Sequence, residues 1–359
     1  MKRLFSGQFA IVLLITVSIT SASAAPQKQK AMALPDKDTI AGWLHRSNVP
    51  VVGIGLIEQG RVKQVKVFGV LHPGIPASNN TIFHVASLTK PIVAILTLKL
   101  VSMKRWSLDE PLSDYFVDPD VKDDSRHLKL NTRLVLTHQT GLPNWRGNEP
   151  SHKLSFAFEP GTDTKYSGEA FQYLREAMEH KFGVPLDKLS AQWVFRPFGM
   201  NDTRHYWDSS MDESRYAGRH DKDGKALEQE KWYEAHAANL LLTTVGDYSK
   251  FGVNVLIGAG LSEQVYKEMV TPHSPKGKEL PPSVNPFGLC WLLVRNLSNG
   301  EYALVHSGRN PGIATIVVLL PQSKRGVVVL TNGENGEEVY KKVLAESLDL
   351  GAEILRRLE

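Results

Sequence analysis

The stretch SLTKPIVAILTLKLV, residues 87–101, places a lysine three positions after a serine at the head of a long apolar run. Residues three apart share one side of a helix, so the Ser87 hydroxyl and the Lys90 amine can meet if the helix begins near Ser87. Pro91 is compatible with that start, because the first turn of a helix tolerates a missing backbone donor. Apolar residues on nearly every side, as far as Met103, predict a buried helix.

Segments rich in β-branched residues lie on both sides of this helix. Val51–Ile57 and Val62–Val70, separated by the turn Glu58–Arg61, predict a hairpin. Turn-forming residues near the other end of the chain separate four more predicted strands: Phe287–Val294, Tyr302–His306, Ile313–Leu320 and Gly326–Thr331. Capping residues and apolar spacing predict terminal helices over Asp36–Ser47 and Glu337–Leu358.

These predictions together indicate an α+β fold. Short connections favour an antiparallel sheet assembled from both ends of the chain and flanked by the terminal helices. Residues 106–283 show helical patterns and long loops, which predicts a mostly helical inserted lobe. Residues 36–105 and 284–359 then form the sheet lobe, and a chain of this length is long enough for two packed lobes.

The first 24 residues have the pattern of a secretory signal peptide. Lys2 and Arg3 precede the apolar run Phe9–Ile19, and Ala22-Ser23-Ala24 supplies the small residues of a cleavage site after Ala24. The apolar run is too short for a transmembrane helix. We therefore expect a periplasmic or secreted protein with no stable membrane anchor after cleavage.

Composition excludes several classes of partner and chemistry. The formal net charge is +4, and half of it belongs to Lys2 and Arg3, so we expect no nucleic-acid binding. Cys290 is the only cysteine, so no intrachain disulfide is possible, and its apolar surroundings predict a buried structural thiol.

Metal, cofactor and nucleotide motifs are missing from the sequence. It contains no H-E-x-x-H pattern or Cys/His cluster, and it lacks the G-x-S-x-G, G-x-G-x-x-G and P-loop patterns. We predict no cofactor and no metal site. The acidic residues Asp118, Asp120, Asp123 and Asp124 lack calcium-loop spacing, so a solvated loop is the default expectation.

Two further motifs support a catalytic interpretation of Ser87 and Lys90. Tyr166-Ser167-Gly168 lies in the predicted helical lobe, and His306-Ser307-Gly308 lies at the end of a predicted strand before a turn. The order of S-x-x-K, a tyrosine motif and a [KH]-[ST]-G strand resembles the class C β-lactamases, the serine DD-peptidases and the family VIII esterases. Local matches to that group also cover the following segments: Leu134–Pro143, Phe195–Thr203, Ala237–Thr244 and Phe287–Trp291.

This resemblance implies roles for named residues. Ser87 would attack a carbonyl carbon and become acylated, while Lys90 and Tyr166 would share the work of the general base. The backbone N–H groups of Ser87 and Arg309 would form the oxyanion hole. The resemblance also places His306 among the catalytic residues. It identifies His138 as the family's structural histidine at a helix end.

The same resemblance places substrate along the edge of the predicted strand. His306, Ser307 and Gly308 would hold the substrate there, and an Arg309 side chain turned toward the cleft could bind a carboxylate. An Arg309 paired with an acidic neighbour at the surface is the alternative. Trp145 is a candidate wall of the acyl pocket, with a packing role as the competing interpretation.

Two departures from the family pattern bear on the substrate. The lactamases and peptidases usually carry asparagine where this chain has Gly168, and lysine where it has His306, which is largely neutral near pH 7. Both changes remove polar contacts to a penicillin or peptide carboxylate, so we expect weak or no β-lactamase activity. We predict an acyl-enzyme serine hydrolase acting on small esters, or on peptides and amides that contain D-amino acids. The alternatives are a DD-carboxypeptidase, a β-lactamase and a non-catalytic binding module.

Overall fold

Seven strands form one antiparallel sheet in the computed structural model, which describes residues 31–72, 74–281 and 284–359. The predicted signal peptide, residues 1–24, lies outside the described residues. The sheet has the order β3-β2-β1-β9-β8-β7-β6, and β4 and β5 form a separate pair. The strands are β1 Val51–Glu58, β2 Arg61–His72, β3 Ile75–Pro76, β4 Ile82–His84, β5 Leu242–Thr244, β6 Leu292–Val294, β7 Ala303–Asn310, β8 Ile313–Leu320 and β9 Arg325–Thr331.

The pairing of β1 with β9 joins the two ends of the chain. Val52 lies opposite Thr331 and Ile57 opposite Gly326, while the other edge of β1 pairs with β2. The predicted hairpin and the predicted sheet from both chain ends are therefore confirmed. β7 lies on the C-terminal side of this sheet, and its Gly308 pairs with Thr315 of β8.

Alternation along β1 divides the core into two layers. Val52, Ile54 and Leu56 pack with the terminal helices, whereas Val51 and Ile57 pack on the opposite face, as the two-residue period of a strand requires. The helices of the first layer are α1 Lys37–Arg46, α9 Gly336–Ser347 and α10 Gly351–Leu358. The expectation of a sheet covered by terminal helices is confirmed.

The opposite face of the sheet receives the buried helix α2 and the inserted segment. Every residue of α2 from Thr89 to Leu98 is buried, in agreement with its apolar sequence. The helices of this side are α2 Thr89–Ser102, α3 Thr132–Leu136, α4 Glu169–Phe182, α5 Leu186–Ser190, α6 Arg196–Phe198, α7 Val245–Leu256 and α8 Glu263–Val270, with a π-helical turn at Ala191–Phe195 between α5 and α6.

The C-terminal region differs from the sequence-based prediction at three places. β6 is confined to Leu292–Val294, with only an isolated bridge from Phe287 to Leu292 before it. β7 continues through Asn310, so the His306 motif lies within the strand and not at its end. The final helix breaks before Gly351, where the backbone packs so tightly on the Leu344 carbonyl that no larger residue would fit.

Glycine at position 55 allows α7 to approach β1 closely. A Cβ there would overlap the Ser249 hydroxyl and lie 3.2 Å from the Ser249 Cβ. We expect Gly55→Ala to lower the free energy of unfolding by ~1–3 kcal/mol, because the packed helix has little room to shift. Urea denaturation measures this change.

Gly147→Ala is the matched control, because a Cβ at that position meets no atom within 4 Å. In a Ser249→Gly background the added methyl at position 55 has room, so most of the loss should disappear. An equal loss in both backgrounds would contradict this account of the packing.

Candidate active site

Ser87 is presented by a short strained turn ahead of α2. Ala86 has a φ of 49°, in the left-handed region, and Ala86–Leu88 form a 3₁₀ turn that leads directly into the helix. The Thr89 hydroxyl donates to the Ala86 carbonyl at 2.7 Å and accepts the Leu241 N–H at 3.0 Å. Such backbone strain persists only where surrounding contacts hold it, and here those contacts fix Ser87 at the mouth of a cleft.

Lys90 lies fully buried beneath Ser87. Its Nζ is 3.1 Å from the Ser87 Oγ and donates to the Ala238 carbonyl at 2.9 Å. Burial penalises the charged amine and lowers the pKa of Lys90 to about 7. At neutral pH a large share of Lys90 is therefore unprotonated, with a lone pair within reach of the serine hydroxyl proton.

Aromatic rings enclose the Lys90 amine on the remaining sides. Nζ lies 4.7 Å from the ring centroid of Tyr166, 5.7 Å from that of Phe171 and 5.8 Å from that of Trp145. Packing of these rings excludes water and so contributes to the lowered pKa of Lys90. The attraction of the ring faces for a cation offsets part of this penalty when Lys90 takes up a proton. Phe171 and the Ala238 carbonyl were not among the site residues predicted from the sequence, although Ala238 lies in the matched segment Ala237–Thr244.

The burial of Tyr166 favours the uncharged form of its phenol. Burial raises its pKa above the ordinary value, and a hydrogen bond with Ser87 offsets this only in part. The shared general-base role of Lys90 and Tyr166 stays a prediction. Tyr166 stays a protonated phenol that can donate to an oxygen or nitrogen near Ser87.

His138 fixes the position of Tyr166 from behind. It follows the end of α3 with a φ of 57°, and its ring lies 4.3 Å from the Tyr166 ring, centroid to centroid. Its carbonyl accepts the Lys165 N–H at 2.8 Å, and its Nδ1 accepts the Ser167 N–H at 3.2 Å. Both neighbours of Tyr166 are thus tied to this one residue, which is consistent with a structural role.

Strand β7 forms the second wall of the site and passes very close to the nucleophile. A Cβ at Gly308 would overlap the Val85 carbonyl and the Thr315 hydroxyl, and it would lie 3.1 Å from the Ser87 backbone nitrogen. Only glycine permits this approach. The structure thus brings the backbone of Ser87 beside the strand that carries Arg309, as the expected oxyanion hole requires.

His306 is buried, neutral and limited to one tautomer. Its Nδ1 lies 2.9 Å from the Ser307 carbonyl, so Nδ1 carries the proton and Nε2 is an acceptor. Burial, helped by the nearby Lys90 charge, lowers the pKa of His306 to about 3. Its ring centroid is 6.5 Å from that of Tyr166, and Nε2 has no partner among the described residues, so no hydrogen bond joins the two side chains.

The cleft outside Ser87 has a volume of about 550 Å³ and brings the remaining predicted residues together. Ser307, Gly308 and Arg309 line one side, and Trp145 lines the other. The Arg309 guanidinium is exposed and lies 3.0 Å from the Glu337 carboxylate. This arrangement is the surface ion pair that was the alternative to a carboxylate-binding Arg309.

Residues outside the cleft refine two other expectations. Cys290 is buried as predicted, and burial raises its pKa, so the thiol is unreactive. The acidic stretch is not simply solvated, since Asp118 and Asp120 pair with Arg146 at 2.7 and 3.0 Å. Within the described part of the chain, no group of three acidic, histidine or cysteine side chains is placed to hold a metal ion.

The fold and the paired serine and lysine define the architecture of a serine hydrolase. The family model "Beta-lactamase" matches residues 34–350, and the chain belongs to the β-lactamase family. Across the described ranges, no helix combines the length and the apolar character that a membrane span needs.

The chain is similar in sequence to several named bacterial proteins. It is 22% identical to the D-alanyl-D-alanine-carboxypeptidase/endopeptidase AmpH of Escherichia coli, over 92% of this chain and 91% of the relative. It is 31% identical to esterase EstB of Burkholderia gladioli over 36% of this chain and 40% of the relative. It is 22% identical to Protein flp of Staphylococcus aureus over 84% of this chain, and it spans 63% of that relative's length.

A solved structure supports the same fold. The D-amino acid amidase from Ochrobactrum anthropi superposes with a TM-score of 0.70 at 22% identity, covering 89% of this chain and 98% of the amidase.

The buried Lys90 predicts the pH dependence of acylation. The unprotonated amine is the active form, so the rate should rise with pH through about 7, the pKa of Lys90, and level off above it. Stopped-flow measurement of kcat/KM for a neutral ester checks this profile. Lys90→Arg, which stays protonated, should lose at least ~10²-fold in rate. A rate that is flat from about pH 5 to about pH 9 would rule out Lys90 as the base.

The same burial predicts a conflict between stability and function. The pKa of Lys90 falls from 10.5 to about 7 on folding, so the buried amine disfavours the folded state fully below pH 7, and this penalty declines toward pH 10.5. Lys90→Met should therefore raise the free energy of unfolding by ~1–4 kcal/mol at acidic pH, and by less in mild alkali, while activity is lost. Urea denaturation at several pH values tests the sign, and a destabilised variant at acidic pH would contradict it.

Proposed function

We propose that this protein hydrolyses small esters and amides that carry no carboxylate, including those of D-amino acids, through an acyl-enzyme at Ser87. The observation that carries the proposal is the 3.1 Å approach of the buried Lys90 amine to the Ser87 hydroxyl. An unassisted serine hydroxyl is a weak nucleophile and needs a base whose pKa lies near the working pH. Lys90 meets that requirement with a pKa of about 7.

In the first half of the reaction, the Ser87 Oγ attacks the carbonyl carbon and its proton passes to Lys90 Nζ. The carbonyl oxygen becomes negatively charged, and the backbone N–H groups of Ser87 and Arg309 stabilise it. The bond to the leaving group then breaks. In this scheme Tyr166 donates a proton to the leaving group and recovers one from Lys90. Its hydrogen bond with Ser87, which lies beside the reacting carbonyl, supports this role.

In the second half, water attacks the acyl-enzyme ester. Lys90 is neutral again once its proton has left with the leaving group, and it can accept a proton from the water by the same route. The Ser87 Oγ departs and recovers its proton. Each proton taken up by Lys90 is returned, so the cycle needs no metal or cofactor.

The charges of the cleft disfavour substrates that carry a carboxylate. Lys90 is only partly protonated at neutral pH and lies fully buried beneath Ser87, and His306 offers only an acceptor nitrogen. The exposed Arg309 is already paired with Glu337. A substrate carboxylate would therefore lack an unpaired cation among these residues, which weighs against penicillins.

A DD-carboxypeptidase is the second candidate, because the relative named AmpH aligns along 92% of this chain. That substrate ends in a carboxylate, which would have to displace Glu337 from Arg309. A β-lactamase faces the same difficulty. A binding module that has lost turnover would retain the fold but would not need a lysine with a pKa near neutrality.

We propose that the protein works outside the cytoplasm, on the strength of the signal-like residues 1–24. Its expected partner is a small-molecule or peptide substrate and no nucleic acid. The sheet lobe of residues 36–105 and 284–359 and the helical lobe of residues 106–283 would act together, since Ser87 and His306 come from the first and Tyr166 from the second.

Turnover of p-nitrophenyl acetate and of D-amino acid amides tests the proposal. We expect hydrolysis of the ester by the wild type and a loss of at least ~10³-fold in kcat for Ser87→Ala, because the nucleophile is removed. Ser347→Ala serves as the matched control, because it makes the same change at a buried serine of α9 that does not line the cleft. Equal rates for the wild type and Ser87→Ala would contradict the proposal and leave a binding module.

Intact mass after mixing with a penicillin, followed together with free drug, separates the alternatives. We expect neither an adduct nor loss of drug, because the cleft offers the carboxylate no unpaired cation among the residues described above. A persistent adduct that is absent in Ser87→Ala would favour the DD-carboxypeptidase. Loss of drug without an adduct would favour a β-lactamase.

A further inference from the structure

One side chain, Trp145, is shared by three cavities. It lines the catalytic cleft of about 550 Å³, a second cavity of about 520 Å³, and a small one of about 250 Å³. We call the second one the rear cavity. The lining residues on which the argument depends, besides Trp145, are His84, Arg219, Leu227, Trp232, His236 and Leu240. Trp145 and Asn310 are the two residues that it shares with the catalytic cleft.

The indole of Trp145 rests directly on Gly168. A Cβ at position 168 would lie 2.6 and 2.8 Å from two carbons of the indole and closer still to a third. Gly168 has a φ of −80° and a ψ of −37°, a right-handed conformation that any residue adopts. Glycine is required here by the indole and not by the backbone, so Trp145 and Gly168 form a matched pair.

The two neighbours of Trp145 in the chain are both hydrogen-bonded to the start of α4, at Gly168 and Glu169. The Asn144 Oδ1 accepts the Gly168 N–H at 2.9 Å, and the Asn144 carbonyl accepts the Glu169 N–H at 3.1 Å. On the other side, the Arg146 N–H donates to Glu169 at 3.0 Å, and the Arg146 guanidinium pairs with Asp118, Asp120 and Glu169. Trp145 is therefore a fixed partition.

The rear cavity combines apolar side chains with neutral histidines. Leu227, Leu240 and Trp232 contribute apolar surface, and burial keeps the pKa of His84 at about 4 and that of His236 at about 3, so both are neutral. Its cation Arg219 donates to the Glu228 carbonyl and lies 3.5 Å from the Glu230 carboxylate. An apolar chain or ring is the ligand that this lining suits.

We infer that Trp145 determines the size of the acyl group that the site accepts. Its indole packs on Gly168 and separates the catalytic cleft from the rear cavity. This inference rests on the proposed function. The wild-type protein accepts short acyl groups, and removal of the indole joins the two cavities and admits long apolar ones. The ligand class of the enlarged site is a medium-chain fatty acyl or aryl-acyl ester.

The first test compares kcat/KM for p-nitrophenyl octanoate and p-nitrophenyl acetate. We expect Trp145→Ala to raise the octanoate-to-acetate ratio by at least ~10-fold, since several methylenes gain a place to bind. Loss of the indole beside Lys90 affects both esters alike and cancels in the ratio. Trp193→Ala is the control, because Trp193 lies against Arg105 and lines none of these three cavities.

The outcomes separate this inference from the proposed function. An active wild type with an unchanged ratio in Trp145→Ala overturns the inference alone. Wild-type and Ser87→Ala proteins that are equally inactive on acetate overturn the proposed function, and the inference with it.

The matched pair is tested independently of turnover by urea denaturation. Gly168→Ala should lower the urea midpoint in the wild-type background, because the methyl meets the indole, and should have little effect in the Trp145→Ala background. Equal shifts in the two backgrounds would mean that Trp145 does not occupy the space over Gly168, and the partition would be refuted. This readout remains informative if Trp145→Ala is itself less stable, because only the difference between backgrounds is used.

Discussion

The burial of one amine at the head of α2 constrains the rest of the molecule. Lys90 has no exposed surface, and its amine is held by the Ala238 carbonyl and three aromatic rings. Holding a lysine there costs stability, and the apolar helix packed between the sheet and the inserted lobe offsets that cost. The same burial makes the chemistry possible, because desolvation brings the pKa of Lys90 near neutrality and lets the amine act as a base toward Ser87.

The electrostatic character of the cleft follows from the same burial. His138, His236 and His306 all lie near Lys90, and in each the pKa is lowered first by burial and then by the lysine charge. A second cation close to Lys90 would depress its pKa further and would itself be expensive to bury. Charged side chains are accordingly found as pairs farther out, such as Arg309 with Glu337 at the rim.

Local sequence patterns were enough to predict most of the fold. The apolar run after Lys90, the hairpin of β1 and β2, and the buried Cys290 are each encoded by neighbouring residues, and the structure confirms them. The features that were not predicted depend on contacts between distant positions. The break before Gly351 is set by packing on Leu344, and the neutral phenol of Tyr166 is set by its burial. No local pattern reveals the roles of the Phe171 ring, the Ala238 carbonyl or the ion pairs of Arg146. Each of these groups acquires its role only through its position in the folded chain.

Gly168 has a structural role that the sequence alone does not show. Compared with the family pattern, it lacks the side-chain amide of asparagine, and from this loss we expect weak or no β-lactamase activity. In the folded chain the space over Gly168 is filled by the Trp145 indole, which also faces Lys90 at 5.8 Å. A flexible polar contact has been exchanged for a rigid apolar wall that is anchored through Asn144 and Arg146 on either side. Such a wall cannot hydrogen-bond a substrate, but it excludes water beside the amine and helps keep the amine neutral. The exchange is therefore consistent with the burial of Lys90, because both favour an apolar setting around Ser87 over the binding of an anion.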